Sequence, residues 1–287
     1  MNSLLIDALP HRLEALLQAP DTPLICMVGP GCQGERLARQ IADLRQKNAT
    51  PAYRVIALAD PAQQALLNRL NQGSLAASSA AETPNLLATS DPMVLRQAEC
   101  ILLDLSTLPP AKWPAQCRQI ARRMAPEALL ILIGSLPPGS CENTLLPLLQ
   151  AAFAERGLSE SPLLALLTPQ PGTWFLAGSS PLAAQRARDF LSRLQPAETL
   201  MQQVSQLKSL EMLSTLFSTY RALSTALQQD WRSLATAHGM ALEPLLAFLP
   251  WQMPPAQLEA LPALPVELQH WEQILQRVSS PAAQLRR

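Results

Sequence analysis

Three glycines near the N-terminus, Gly29, Gly31 and Gly34, stand in the spacing GxGxxG, with Cys32 and Gln33 between the last two. A turn of this kind suits one piece of chemistry. The first glycine permits a tight turn, the second lets backbone amides approach a pyrophosphate, and the third allows a helix to pack closely. The helix N-terminus adds its positive dipole. The apolar run Pro23 to Gly29 precedes the turn and a helical period from Glu35 to Gln46 follows it, so the motif sits between a strand and a helix. An acidic residue for the ribose hydroxyls is expected at the end of the second strand, where Asp60 follows Ala59. Gly29, Gly31, Cys32, Gln33, Gly34 and Asp60 are therefore candidate contacts for NAD. The plainer reading of the glycines is a turn kept for the fold alone.

Five cysteines (Cys26, Cys32, Cys100, Cys117 and Cys141) form no CxxC pair, so neither a disulfide framework nor a zinc site is indicated and no metal is expected. Cys32, at a helix N-terminus, would have a lowered pKa and could react with oxidants. His11, His238 and His270 are scattered and pair with no nucleophile in sequence.

The elements that must carry the turn alternate between strand and helix. An amphipathic helix is predicted over residues 2–18, interrupted near Pro10. Strands are predicted at 23–29, 53–58, 100–105 and 128–133, with helices at 35–46, 61–70, 115–124 and 145–156 between or after them. Two further strands, at 163–167 and 173–177, and a helix at 183–194 close the domain at Pro196. This alternation predicts an α/β, Rossmann-like parallel sheet with helices on both faces. From Glu198 to His238 there is no proline or glycine, and apolar residues recur at Val204, Leu207, Leu210, Leu213, Leu216, Phe217, Tyr220 and Leu223. One long helix of roughly 40 residues is expected, a rod of about 60 Å whose apolar stripe wants a partner. Gly239 would cap it, and Leu242 to Leu249 would form a short helix. The last 37 residues carry five prolines and read as a tail with one helix near 267–278, anchored by Trp251 and Trp271. The expected organisation is thus an N-terminal helix (1–20), a Rossmann-like NAD-binding-type domain (21–196), a dimerisation region of the long helix and a short helix (197–250) and the tail (251–287).

The totals narrow the partners. With 22 basic and 22 acidic residues among 287, the net charge is zero, which argues against nucleic acid. The longest apolar run is far short of the roughly 20 residues a spanning helix needs, so no membrane insertion is expected. The N-terminus reads as neither signal nor transit peptide, and the unpaired cysteines suit a reducing cytoplasm.

Three segments resemble the nucleotide-sugar 6-dehydrogenases, the family that oxidises UDP-glucose or UDP-N-acetylmannosamine to the uronic acid with two NAD. LLATSDPMVLRQAECILLDLST (Leu86 to Thr107) is similar to the family's LxATTD...ALxxADVIIIAVPT stretch. LLILIGSLPPGSCENTLLPLLQ (Leu129 to Gln150) is similar to VVVESTVPPGTTExVxxPILE, with PPG at Pro137 to Gly139 as the sharpest match. The long helix is similar to the family's dimer-forming central helix, ELxKLxENTYRxxNIALxNELA, with Tyr220, Arg221, Ala226 and Leu227 in register. The resemblance spans residues 22–250 and implies a Rossmann domain, NAD as cofactor with Thr107 among its contacts, and a homodimer.

It also implies chemistry whose residues are not in place. The family needs a cysteine nucleophile after the helix, and no cysteine occurs beyond Cys141. The central-helix lysine aligns with Ser214 and its asparagine with Ser224. The motif threonine falls on Ser135, and Gln170 stands where a general-base carboxylate belongs. Cys141, beside the PPG turn, could be pictured as a displaced nucleophile, and its plainer reading is a small semi-buried thiol. The expectation is a truncated, non-catalytic homologue acting as a dimeric scaffold or regulatory protein, with docking to another protein as a further role, in surface-polysaccharide synthesis. The alternatives are an NAD-dependent oxidoreductase on another substrate and an NAD(H)-sensing regulator.

Overall fold

The computed structural model describes residues 9–18, 22–46, 50–60, 67–71, 85–194 and 199–237, all within one compact unit, Met1–His238. Eight strands form a single sheet: β1 (Leu24–Val28), β2 (Arg54–Leu58), β3 (Leu86–Thr89), β4 (Cys100–Asp104), β5 (Leu129–Ile133), β6 (Leu163–Gln170), β7 (Thr173–Gly178) and β8 (Leu200–Gln203). Their order is β3-β2-β1-β4-β5-β6-β7-β8, so the chain reverses direction of travel between β1 and β4. In an open α/β sheet that switch point opens a crevice at the carboxyl ends of the strands.

The helices include α1 (Leu9–Gln18), α2 (Cys32–Asp43), α3 (Trp113–Ala121), α4 (Leu146–Glu155), α5 (Pro181–Leu191) and α6 (Leu207–Ala237). Alternation within the strands sorts the core into two layers. Cys26, Val28, Ile101, Leu103, Leu130 and Leu132 pack with Leu16 of α1, Ile120 of α3, Phe153 of α4 and Leu207 and Leu210 of α6. Ile25, Met27, Leu102, Ile131 and Ile133 pack on the other face with Ile41 of α2 and Ala183, Ala187 and Phe190 of α5. Covered on both faces, β1, β4 and β5 are buried at every position, which is why their sequences are continuous apolar runs. Each fully buried Leu or Ile contributes roughly 1.5–3 kcal/mol from burial.

Several expectations shift. Pro10 is the second described residue of α1, and residues 1–8, from which the expected interruption would separate it, lie outside the described residues. α2 starts at Cys32, directly on the glycine turn, and stops at Asp43. β7 runs antiparallel to β6, because the two-residue turn Pro171–Gly172, with Gly172 at φ +74, is far too short for a parallel crossover. β3 and β8 are strands that the pattern did not predict. The stretch expected to open the long helix instead pairs Leu200 to Gln203 with β7, so α6 begins only at Leu207. It runs for 31 residues, about 46 Å at 1.5 Å per residue. The expected helices at 242–249 and 267–278, Gly239, Trp251 and Trp271 lie outside the described residues, as do the starts of the 2–18 and 61–70 helices.

Candidate functional site

The carboxyl edge of the sheet carries two turns. The first joins β1 to α2 and contains the glycines. Gly29 has φ +60, the left-handed conformation that favours glycine, and its carbonyl accepts from the Thr107 hydroxyl at 2.8 Å. Gly31 and Gly34 are closely approached by their neighbours. A Cβ on Gly31 would lie 2.5 Å from Cγ2 of Thr107, and one on Gly34 would lie 2.9 Å from Oδ2 of Asp104. The approaching group at both is the end of β4.

Asp104, the last residue of β4, is fully buried. Its Oδ2 accepts from the backbone N–H of Gly31 at 3.1 Å and of Gly34 at 3.0 Å. Its Oδ1 accepts from the N–H of Ser106 at 3.0 Å and the hydroxyl of Ser106 at 2.6 Å. Gly31 is the N-cap of α2, so this carboxylate stands at the positive end of the helix dipole. Cys32 and Gln33 lie in the first helical turn, and their side chains are outside the described residues. Asp60 is exposed just beyond β2, whose Leu58 pairs with Val28, so it shares the carboxyl edge with the glycine turn. Sequence reasoning named Thr107 and missed Asp104, whose signal is a carboxylate ending an otherwise apolar strand.

The second turn joins β5 to α4 through Pro137–Pro138–Gly139 and a short π-helical segment, Cys141–Leu145. Gly139 has φ +84. The N–H groups of Gly139 and Cys141 both donate to the carboxylate of Glu211, at 2.5 and 2.7 Å, and Glu211 is fully buried on α6. Three residues on, Ser214 is buried and donates to the Ser135 hydroxyl at 2.5 Å. Farther along α6, Arg221 donates to Oε1 of Gln170 at 2.8 Å. The structure thus joins Ser135 to Ser214 and ties Gln170 to the same helix. The side chain of Ser224 is outside the described residues. Glu211 was not singled out from sequence, although it shares a helical face with Leu207, Leu210 and Ser214, and a carboxylate on an apolar face signals a buried partner.

The described thiols are enclosed. Cys26, Cys100, Cys117 and Cys141 are free and buried. Burial pushes Cys26 and Cys117 up to about 12. Burial raises Cys141 further, reinforced by the Glu211 carboxylate. A protonated, enclosed Cys141 is a poor nucleophile. Among the described residues no group of three or more His, Cys, Asp or Glu could hold a metal, and no helix is long and apolar enough to cross a membrane.

This architecture has known counterparts. It is similar to a UDP-D-ManNAc dehydrogenase from Pyrococcus horikoshii, with TM-score 0.62 and 17% identity over 80% of this chain and 58% of the other. It is also similar to a UDP-glucose dehydrogenase from Pyrobaculum islandicum, with TM-score 0.58 and 13% identity over 82% and 58%. The likeness is one of fold. A third similar structure, Psf3 in complex with NADP+, gives TM-score 0.54 and 14% identity over 79% and 72%. The chain spans 58% of the length of each of the two UDP-sugar dehydrogenases. No family model and no curated protein matches the sequence.

A dinucleotide, the cofactor such a fold implies, would bring its diphosphate to the N-terminus of α2. The residues there are a poor match for it, because a buried carboxylate already accepts two of the turn's amides.

Proposed function

We propose that this chain is a non-catalytic protein of the nucleotide-sugar dehydrogenase type, a dimeric scaffold or regulatory protein of surface-polysaccharide synthesis. The observation that carries this reading is the Ser135–Ser214 pair. Where the resembled chemistry needs a threonine and a lysine, two neutral hydroxyls bond to each other. A serine hydroxyl without an adjacent base neither gives nor takes a proton readily at neutral pH. Gln170, an amide held by Arg221, likewise supplies no general base.

The scaffold role rests on α6. Its first turns are anchored by Leu207, Leu210, Glu211 and Ser214, whereas Leu216, Tyr220 and Leu223 are 47%, 54% and 46% exposed. Apolar side chains exposed one turn apart along a helix suit a second copy of the same helix.

Light scattering on the full chain tests the dimer, which the paired change Leu216→Glu and Leu223→Glu should convert to monomers of unchanged helicity. These positions are chosen because Leu213, half-buried against the core, would confuse folding with association. A monomeric wild type, or a double variant that stays dimeric, sinks the reading. Following NADH absorbance with UDP-glucose or UDP-N-acetylmannosamine and NAD should show no turnover. Measurable turnover would replace the reading with an NAD-dependent oxidoreductase.

A further inference from the structure

We infer that Asp104 is a built-in anion that fills the dinucleotide-binding turn from within and closes it to diphosphates. The inference stands on position, saturation and coverage, and it is independent of whether the chain is a dimer.

Position comes from topology. The strand order reverses between β1 and β4, and the crevice at that reversal is where a dinucleotide would lie across the sheet. Asp104 ends β4, one strand from the glycine turn, and its side chain faces that turn. The family stretch that residues 86–107 resemble carries alanine at the position of Asp104, a side chain with no charge and no reach.

Saturation comes from the hydrogen bonds. Each carboxylate oxygen accepts two donors, Oδ2 from Gly31 and Gly34 and Oδ1 from the N–H and hydroxyl of Ser106. A helix N-terminus attracts an anion through unpaired N–H groups and a partial positive charge of about half a unit. Here a full negative charge is already lodged against it, in a place with 0% exposure. A diphosphate arriving at the same helix end would find that partial charge overcompensated and a like charge beneath it. The carboxylate cannot swing aside without leaving all four donors.

Coverage comes from Thr107. The value of the second glycine in the motif is a bare Cα that a phosphate can approach. At Gly31 the space where a Cβ would project is occupied by the Thr107 methyl. The same threonine bonds the carbonyl of Gly29 at 2.8 Å, which locks the end of β4 against the turn. The glycines are therefore required here by Asp104 and Thr107, with no ligand needed to explain them.

The test is a calorimetric titration of the full chain, wild type against Asp104→Ser and Asp104→Asn, with NADH and with inorganic pyrophosphate as probes. Asp104→Asn keeps an oxygen of the same reach while removing the charge, Asp104→Ser removes the charge and shortens the side chain, and circular dichroism confirms the helicity of both. The wild type should give no heat at millimolar probe, and the variants should bind at least about a hundred-fold more tightly, the scale set by relieving a like-charge contact of several kcal/mol. Micromolar NADH binding by the wild type overturns the inference, and so does silence of both folded variants, since the carboxylate would then not be what excludes the diphosphate. Neither result bears on the light-scattering test of the dimer.

Discussion

The glycine turn at residues 29–34 and the PPG turn at residues 137–141 solve the same electrostatic problem with carboxylates of different provenance. In each, two backbone N–H groups point at one spot and a fully buried carboxylate accepts from both. At the glycine turn the carboxylate comes from β4, the strand next to β1, so the bond closes a crevice within the sheet. At the PPG turn it comes from Glu211 on α6 and fastens a distant helix to the sheet edge. One interaction shuts a site and the other attaches an element. The difference shows that a filled anion hole is not itself a functional signature; its meaning depends on where the filling group comes from.

The sharpest way to break this comparison is to remove each carboxylate and rank the losses. Both donors to Glu211 are buried, whereas Gly31 is only partly buried and Ser106 is exposed, so water can replace part of what Asp104 supplies. Glu211→Leu should therefore cost about 3 kcal/mol or more in urea unfolding, because two buried amides lose their acceptor. It should also open Cys141, buried in the wild type, to alkylation. Asp104→Asn should cost less, about 1–2 kcal/mol. A reversed ranking would mean that the glycine turn, not the α6 anchor, is the stiffer of the two. The smallest effect is expected from Ser214→Ala, about 1 kcal/mol or below in the same unfolding measurement, since exposed Ser135 can turn to water. A loss well above that would give the hydroxyl pair a structural weight equal to the carboxylates.

What the sequence disclosed follows the same division. The runs CILL and LLILI announce buried parallel strands because burial on both faces leaves no polar position along them, and the spacing GxGxxG announces the turn because only glycine meets φ +60 and the close approach of Asp104 and Thr107. β3 and β8 escaped because each is four residues long. β8, LMQQ, lies at the sheet edge with three of its four side chains exposed, so no burial pattern marks it. That same edge strand accounts for the late start of α6. A segment free of proline and glycine reads as helix until a neighbouring strand offers its backbone a partner, and β7 does so. The apolar stripe of α6 was legible, yet its division into an anchored beginning and an exposed middle was not, because that division depends on which stretch of helix meets the β5–α4 turn. Asp104 and Glu211 were hidden for a related reason. All but one of their partners, the Ser106 hydroxyl, are backbone amides, which leave no trace in side-chain spacing.

The Glu211 bond also imposes an order on the making of the protein. Cys141 leaves the ribosome 70 residues ahead of the carboxylate that completes its turn. At synthesis rates of about 5–20 residues per second, that gap is roughly 4–14 s. Through that interval the nascent sheet must hold its carboxyl edge with two amides satisfied only by water, and with the apolar seat of Leu207 and Leu210 uncovered. A chaperone that shields emerging apolar surface would find this seat during those seconds and lose it once the helix docks.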